Sequence, residues 1–194
     1  MKNSISSVFQ ISIFFLIMSL WIQQDLQAQT KTVSNNLIFE SEDTKGWVIQ
    51  LKSVSYQIVV NKEGEVRQVY FGPNTDKNSS VQKSAWINSG PNEIPVRGGF
   101  PNKTPLLEVV FPDNVRDTEL RFVKGDIVEK QGRMTLRIVQ KDTHYPLEII
   151  SFIRVLPEYD LMEKWVQVNH TGDGEAIKIE NLKSASSCLT TFTN

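Results

Sequence analysis

The chain of 194 residues carries 21 Lys and Arg against 22 Asp and Glu, which leaves a formal net charge of −1. A balance this close to neutral argues against nucleic acid or an anionic membrane surface as a partner. The single cysteine, Cys188, excludes an internal disulfide framework, and with only two histidines neither a metal site nor another cofactor is expected.

The first 28 residues have the order of a secretory signal peptide. Lys2 gives a positively charged start, Val8 to Trp21 forms an apolar run, and Ala28 stands at a plausible cleavage point. The run is shorter than the roughly 20 apolar residues that cross a bilayer, so a membrane anchor is the weaker alternative. The sequence therefore predicts export to the periplasm, the cell surface or the medium of a bacterium, where a protein without disulfides is common.

A hairpin is predicted at the start of the following domain, after a lead-in over residues 29–46. Trp47 to Leu51 and Ser55 to Val60 alternate or run apolar as strands do. The turn "NKEGE" at 61–65 places Gly64 where a positive φ is needed, and Val66 to Phe71 returns as the antiparallel partner.

Residues 72–105 form a long irregular connection rich in proline and glycine, and loops of this length are often functional. Trp86 lies there together with Arg97 and Phe100. Aromatic and arginine side chains on such a loop can contact a sugar, or they can pack the loop onto the domain. Both readings stay open.

The remaining strands follow one another with turns between them and no helical pattern. They are predicted at 106–111, 119–123, 127–130, 134–140, 147–156, 161–168 and 176–182. The turn "NHTGDGE" at 169–175 predicts a second hairpin between the last two of these strands. Short strands at this spacing predict an all-β fold, an antiparallel β-sandwich over residues 47–194.

Two features indicate which strands are central. Strand 147–156 is apolar on both faces, as a strand covered on both sides would be, with Leu147, Ile149, Ile153 and Val155 on one face and Ile150, Phe152 and Leu156 on the other. Trp47 and Trp165 lie inside strands and are predicted to be core residues.

Carboxylates near the end of the chain do not make a catalytic dyad by spacing alone. Glu158, Asp160 and Glu163 flank a turn, and any charged β turn offers the same arrangement. His144 and His170 also lie next to turns, and no Gly-x-Ser-x-Gly nucleophile motif is present. The sequence therefore predicts no catalytic residue.

Three segments taken in order resemble a known family. They are "WVIQLKSVSYQIVVNKEGEVRQVYFGP", "EIPVRGGFPNKTPLLEVVFPDNVRDTELRFV" and "YPLEIISFIRVLPEYDLMEKWVQVNHTGD". Their order and spacing resemble the N-terminal β-domain of glycoside hydrolase family 36, the bacterial α-galactosidases. The resemblance runs from about Trp47 to Ser186.

The resemblance implies a β-supersandwich ahead of a (β/α)8 barrel that carries both catalytic aspartates. The chain is therefore expected to be an incomplete sandwich that is inactive alone, with the barrel as its partner, an α-galactoside as the ligand of the parent enzyme, and homo-oligomers as a further possibility. The resemblance also implies that loops like "YFGPN" and "EIPVRGGF" wall the substrate site, which makes Asn74, Trp86, Arg97 and Phe100 the candidate substrate-binding residues. Here "GGFPNK" stands where many members have an Asp-Phe-Arg element.

A reading from another class stays open beside this one. The chain can be a free-standing, secreted carbohydrate-binding or scaffold β-sandwich that never had a catalytic partner. The reading frame downstream of Asn194 distinguishes the two, because a parent enzyme requires alternating strands and helices there.

Overall fold

The computed structural model describes residues 37–41, 44–74, 90–98 and 104–183. Predictions that concern the signal peptide, Trp86, Phe100 and Cys188 lie outside these residues. The described residues form ten β-strands, and the single short helix among them is the 3-10 turn Pro157–Tyr159. No helix in these ranges is long and apolar enough to cross a bilayer. All strand pairs in the sheets are antiparallel, so the predicted all-β class is confirmed.

The first sheet has four strands in chain order: β1 (Ile38–Glu40), β2 (Gly46–Gln50), β3 (Val54–Val60) and β4 (Val66–Pro73). The predicted hairpin is confirmed, because Val60 pairs with Val66 across a turn in which Gly64 has a φ of +79°. β1 falls within the segment predicted as a lead-in, and its Ile38 is buried in the core.

The second sheet also has four strands in chain order: β6 (Leu120–Lys130), β7 (Arg133–Asp142), β8 (Leu147–Leu156) and β9 (Leu161–His170). The predicted strands 119–123 and 127–130 are one strand. Its register shifts between Phe122 and Lys124, and this bulge breaks the alternation that the pattern depended on. Gly125 follows directly, and a Cβ there would come within 2.3 Å of the Trp47 ring. Glycine at this position therefore lets Trp47 of the first sheet pack closely against the second.

The predicted second hairpin is wrong. β10 (Lys178–Leu182) pairs with β5 (Leu107–Val110) in a separate two-stranded sheet, and not with β9. Turn residues show where a chain reverses, but they do not choose the partner strand. The chain leaves β9 towards the β7–β8 turn, where the Thr171 N–H donates to the Pro146 carbonyl at 2.8 Å.

Two buried clusters fill the domain. The larger lies between the first two sheets and joins residues of β1 to β4 with Leu136, Ile138, Ile153 and Val155 of β7 and β8. The second packs β5 and the start of β8 against Ile94 and Val96. Part of the long connection is thus built into the core, because Val96 also bridges Leu107.

Burial around β8 corrects two predictions. Its inward face is buried throughout, but on the other face Phe152 is only half-buried, so coverage on both sides holds only in part. Trp165 is not a core residue. Its neighbours Lys164 and Val166 point inward, so strand alternation turns Trp165 outward, where its ring stacks on Phe152 at 5.0 Å. Trp47 is buried, as predicted.

Candidate functional site

A cleft of about 460 Å³ opens at one end of the sandwich. It lies where the turn between β3 and β4, the segment leading into β6, and the turn between β7 and β8 come together. Polar and charged side chains predominate in its walls, which are formed by Glu65, Asn92, Val96, Gly98, Val115, Asp117, Thr118, Glu119, Leu120, Arg121, His144 and Tyr145.

Asp142 fixes the backbone on one side of this cleft. One of its carboxylate oxygens, Oδ2, accepts from the Glu119 N–H at 2.7 Å. The other accepts from the N–H groups of His144 and Tyr145, each at 2.9 Å. A single buried carboxylate at the end of β7 therefore holds both the entry to β6 and the turn before β8.

Glu119 is the carboxylate most exposed to the cleft from that side. It accepts a hydrogen bond from the Thr143 hydroxyl at 3.0 Å and pairs with the Arg121 guanidinium, and His144 Nε2 lies 3.4 Å away. The Thr143 hydrogen bond, followed by the charge of Arg121, lowers the pKa of Glu119 below its ordinary value. The side chain is therefore an ionised acceptor at neutral pH.

Glu65 stands on the opposite wall, in the β3–β4 turn. Burial by itself would raise the pKa of Glu65, but hydrogen bonds from Arg67 and Asn61 and the charges of Arg67 and Arg121 lower it overall. Arg121 Nη1 lies 3.8 Å from Glu65 Oε1 and its other terminal nitrogen binds Glu119, so one guanidinium spans the two carboxylates.

Tyr145 closes the cleft next to His144. Its ring stacks on Phe111, with ring centroids 3.7 Å apart, and its hydroxyl donates to Asp113 Oδ2 at 2.7 Å. This hydrogen bond raises the pKa of Tyr145 and lowers the pKa of Asp113. One face of the ring is thus already occupied by protein.

These carboxylates do not form an acid–base pair. Glycosidase dyads need one carboxyl with a raised pKa to protonate the leaving group and another that stays ionised. The pKa values of Glu65 and Glu119 are both lowered, by cations and hydrogen-bond donors. The cleft can hold a polar ligand by hydrogen bonds, but its two charged walls are acceptors of the same kind. Within the described ranges, no group of three or more His, Cys, Asp and Glu side chains is arranged to hold a metal ion.

The candidate substrate-binding residues are not brought together by the fold. Arg97 is exposed beside the cleft, where its carbonyl accepts from the Thr118 N–H at 3.0 Å. The adjoining Gly98 has a φ of +85° and packs against Asp117 so closely that a Cβ would lie 2.9 Å away. Trp86 and Phe100 lie outside the described residues.

Asn74 lies at the other end of β4, beyond Pro73. Its Oδ1 accepts from Gln50 Nε2 at 2.8 Å, and its Nδ2 donates to the Leu51 carbonyl at 2.9 Å. Eight residues of strand separate it from the β3–β4 turn, a span of about 26 Å at 3.3 Å per residue. Both ends of its amide hold the β2–β3 turn, which is a structural role.

The acidic turn before β9 is structural as well. The Asp160 carboxylate accepts from the N–H groups of Lys52 and Ser53, at 2.7 and 3.2 Å, and from the Ser53 hydroxyl. The Ser53 hydroxyl is the main cause of the lowered pKa of Asp160. Glu158 pairs with Arg133 and Glu163 with Arg154, so the three carboxylates point to separate partners and form no dyad.

Sequence reasoning missed the residues that build the cleft. Asp142, Glu119 and Arg121 stand among many similar charges, and only the pairing of β6 with β7 places Leu120 opposite Asp142. The one available signal was "KDTHYP", in which an aspartate precedes a short turn and accepts its N–H groups, as aspartates often do.

Comparison with known proteins places these features in a family. The family model "Glycosyl hydrolase family 36 N-terminal domain" matches residues 64–193, which include both walls of the cleft. A search of the curated proteins gave no match.

Several solved structures share the fold. The α-galactosidase from Lactobacillus brevis has 17% sequence identity and a TM-score of 0.67, over 76% of this chain and 24% of that one. The galactosidase domain of the α-galactosidase–sucrose kinase AgaSK has 21% identity and a TM-score of 0.64, over 76% and 25%. The family 36 α-galactosidase AgaB from Geobacillus stearothermophilus has 19% identity and a TM-score of 0.64, over 76% and 24%. The chain spans about a quarter of the length of these proteins.

Proposed function

Because the chain belongs to the family of glycosyl hydrolase family 36 N-terminal domains, we propose that it is the non-catalytic β-sandwich domain of an α-galactosidase-like retaining glycosidase. The family match over residues 64–193 carries this proposal. The ionised, cation-paired carboxylates of the cleft support it, because they leave the acid and the nucleophile to a separate barrel domain. The parent enzyme would hydrolyse terminal α-galactosides.

Two measurements test this function. The purified chain alone should give no turnover of an aryl α-galactoside, whereas the product of the reading frame extended beyond Asn194, or of an adjoining frame that encodes the barrel, should hydrolyse it. Turnover by the chain alone would contradict the proposal. So would an extended frame without alternating strands and helices, which would favour the free-standing carbohydrate-binding module.

Arg97 is the position we propose for contact with substrate in the parent enzyme. Its side chain is exposed beside a polar cleft, whereas both ends of the Asn74 amide bind the protein itself. In the parent, Arg97→Ala should raise KM and leave the melting temperature unchanged. Asn74→Ala should lower the melting temperature and leave KM unchanged, and the reverse pattern would contradict the assignment.

Export is proposed from the sequence of residues 1–28, which has a basic start, an apolar run and a small residue at the cleavage point. Fractionation of the producing cells followed by N-terminal sequencing should find a mature protein outside the cytoplasm that begins at Gln29. A cytoplasmic product that retains Met1 or Lys2 would contradict export.

A further inference from the structure

The outer edge of β9 is open. β9 is the last strand of the second sheet and pairs, among the described residues, with β8 alone. Its ten residues contain no proline, and they present a row of backbone N–H and C=O groups along the other edge. An inward-pointing lysine often protects such an edge, but here Lys164 Nζ is neutralised by Glu93 Oε1 at 2.7 Å.

The core also ends one strand short at this edge. The inward residues of β8, namely Ile149, Ile153 and Val155, are fully buried. The inward apolar residues of β9 are only half-buried, and these are Met162, Val166 and Val168. On the outward face Trp165 is half-buried, and Leu161 is 56% exposed. Apolar surface and an open backbone ladder thus coincide on one strand.

We propose that β9 is the contact surface for a second copy of this chain, whose own β9 pairs with it antiparallel about a two-fold axis at Trp165. In this register Glu163 faces Gln167 of the second copy, and Lys164 faces Val166. Each charged side chain of the strand therefore meets an uncharged one, and no like charges are opposed. A two-fold interface requires this self-complementarity, whereas a strand from an unrelated protein would not.

The same register covers the exposed apolar surface. Met162 of each copy faces Val168 of the other on the inward side. On the outward side Phe152 already lies opposite Trp165, so the two copies would form one aromatic row, Phe152–Trp165–Trp165–Phe152, across the junction. The two four-stranded sheets become a continuous sheet of eight strands. This inference does not depend on the proposed glycosidase relationship.

Gln167 provides the test, because it is exposed and faces Glu163 of the second copy. Sedimentation velocity of the purified chain over a dilution series should show a monomer–dimer equilibrium. Gln167→Glu places like charges opposite each other twice and should weaken the dimer about fivefold, whereas Gln167→Lys should strengthen it by a similar factor. The difference should shrink at high salt.

Gln131, in the turn between β6 and β7 at the far edge of the sheet, is the matched control. Gln131→Glu and Gln131→Lys make the same charge changes and should leave the dissociation constant unchanged. A chain that remains monomeric up to its solubility limit would overturn the proposal and leave the edge to another polypeptide. A dimer of equal affinity in Gln167→Glu and Gln167→Lys would also overturn it.

Discussion

Single carboxylates at the ends of strands hold the turns of this sandwich together. Asp142 and Asp160 lie at opposite ends of the second sheet, and each accepts hydrogen bonds from two or more backbone N–H groups of neighbouring segments. A backbone N–H that loses its acceptor in a partly buried turn costs more free energy than the bond itself contributes. These residues therefore determine how the loops at each end are placed.

Asp142→Ala should lower the free energy of unfolding by about 2–4 kcal/mol, because three N–H groups lose their acceptor. Asp142→Asn keeps one acceptor oxygen and should cost less. Urea denaturation measures both values. Asp126→Ala is the control, since it removes only an exposed ion pair with Arg137 and should cost about 0–1 kcal/mol. Equal losses at the two positions would contradict the role given to Asp142.

Glu65 should make stability depend on pH in the acid range. Its folded-state pKa is lowered, so its contribution is present above the unfolded-state pKa of about 4.3 and is lost as the pH falls through the folded value. The difference in free energy of unfolding between the native chain and Glu65→Gln should therefore be largest at neutral pH and shrink in acid.

Chemical denaturation at a series of pH values measures this difference. Glu63→Gln makes the same change at an exposed position of the same turn, and its difference from the native chain should stay small throughout. A Glu65→Gln difference that does not change with pH would show that the hydrogen bonds with Arg67 and Asn61 do not depend on the charge of the carboxylate.

At the scale of elements, a buried polar cluster ties the segment 90–98 to both sheets. Glu93 receives the Tyr56 hydroxyl from β3 and the Lys164 ammonium from β9, and Lys164 Nζ also lies 3.0 Å from the Tyr56 oxygen. Burial, followed by the charge of Glu93 and its hydrogen bond, raises the pKa of Tyr56 well above its ordinary value. The hydroxyl therefore stays protonated and donates to Glu93.

Removal of Glu93 should be severe. Glu93→Ala leaves the Lys164 charge without its partner in a largely buried position and should lower the free energy of unfolding by about 3–5 kcal/mol. Tyr56→Phe keeps the ion pair and removes only the hydroxyl, so it should cost about 1 kcal/mol. Thermal and urea unfolding compare the two, and a mild effect of Glu93→Ala would mean that water replaces the carboxylate.

For the whole molecule, the sequence predicted those features that depend on neighbours along the chain. Alternation gave most strands, and Gly64 marked the turn of the first hairpin. The pairing of β10 with β5 and the outward position of Trp165 depend on contacts between distant segments, which local patterns do not encode. The cleft was missed for the same reason, since Glu65 and Glu119 meet only through Arg121.

The two large sheets should unfold together. Their shared core joins Ile49 and Ile58 of the first sheet to Ile138 and Ile153 of the second, so neither sheet keeps a buried face without the other. Native-state hydrogen exchange should therefore give the same opening free energy for the amides of β3 and β8. Ile153→Ala, at a fully buried site, should lower both values equally, by about 2–5 kcal/mol. Ile179→Ala, where the side chain is 47% exposed, should leave them within about 0.5 kcal/mol of the native values. If Ile153→Ala lowered the value for β8 and left β3 unchanged, the sheets would be separate folding units.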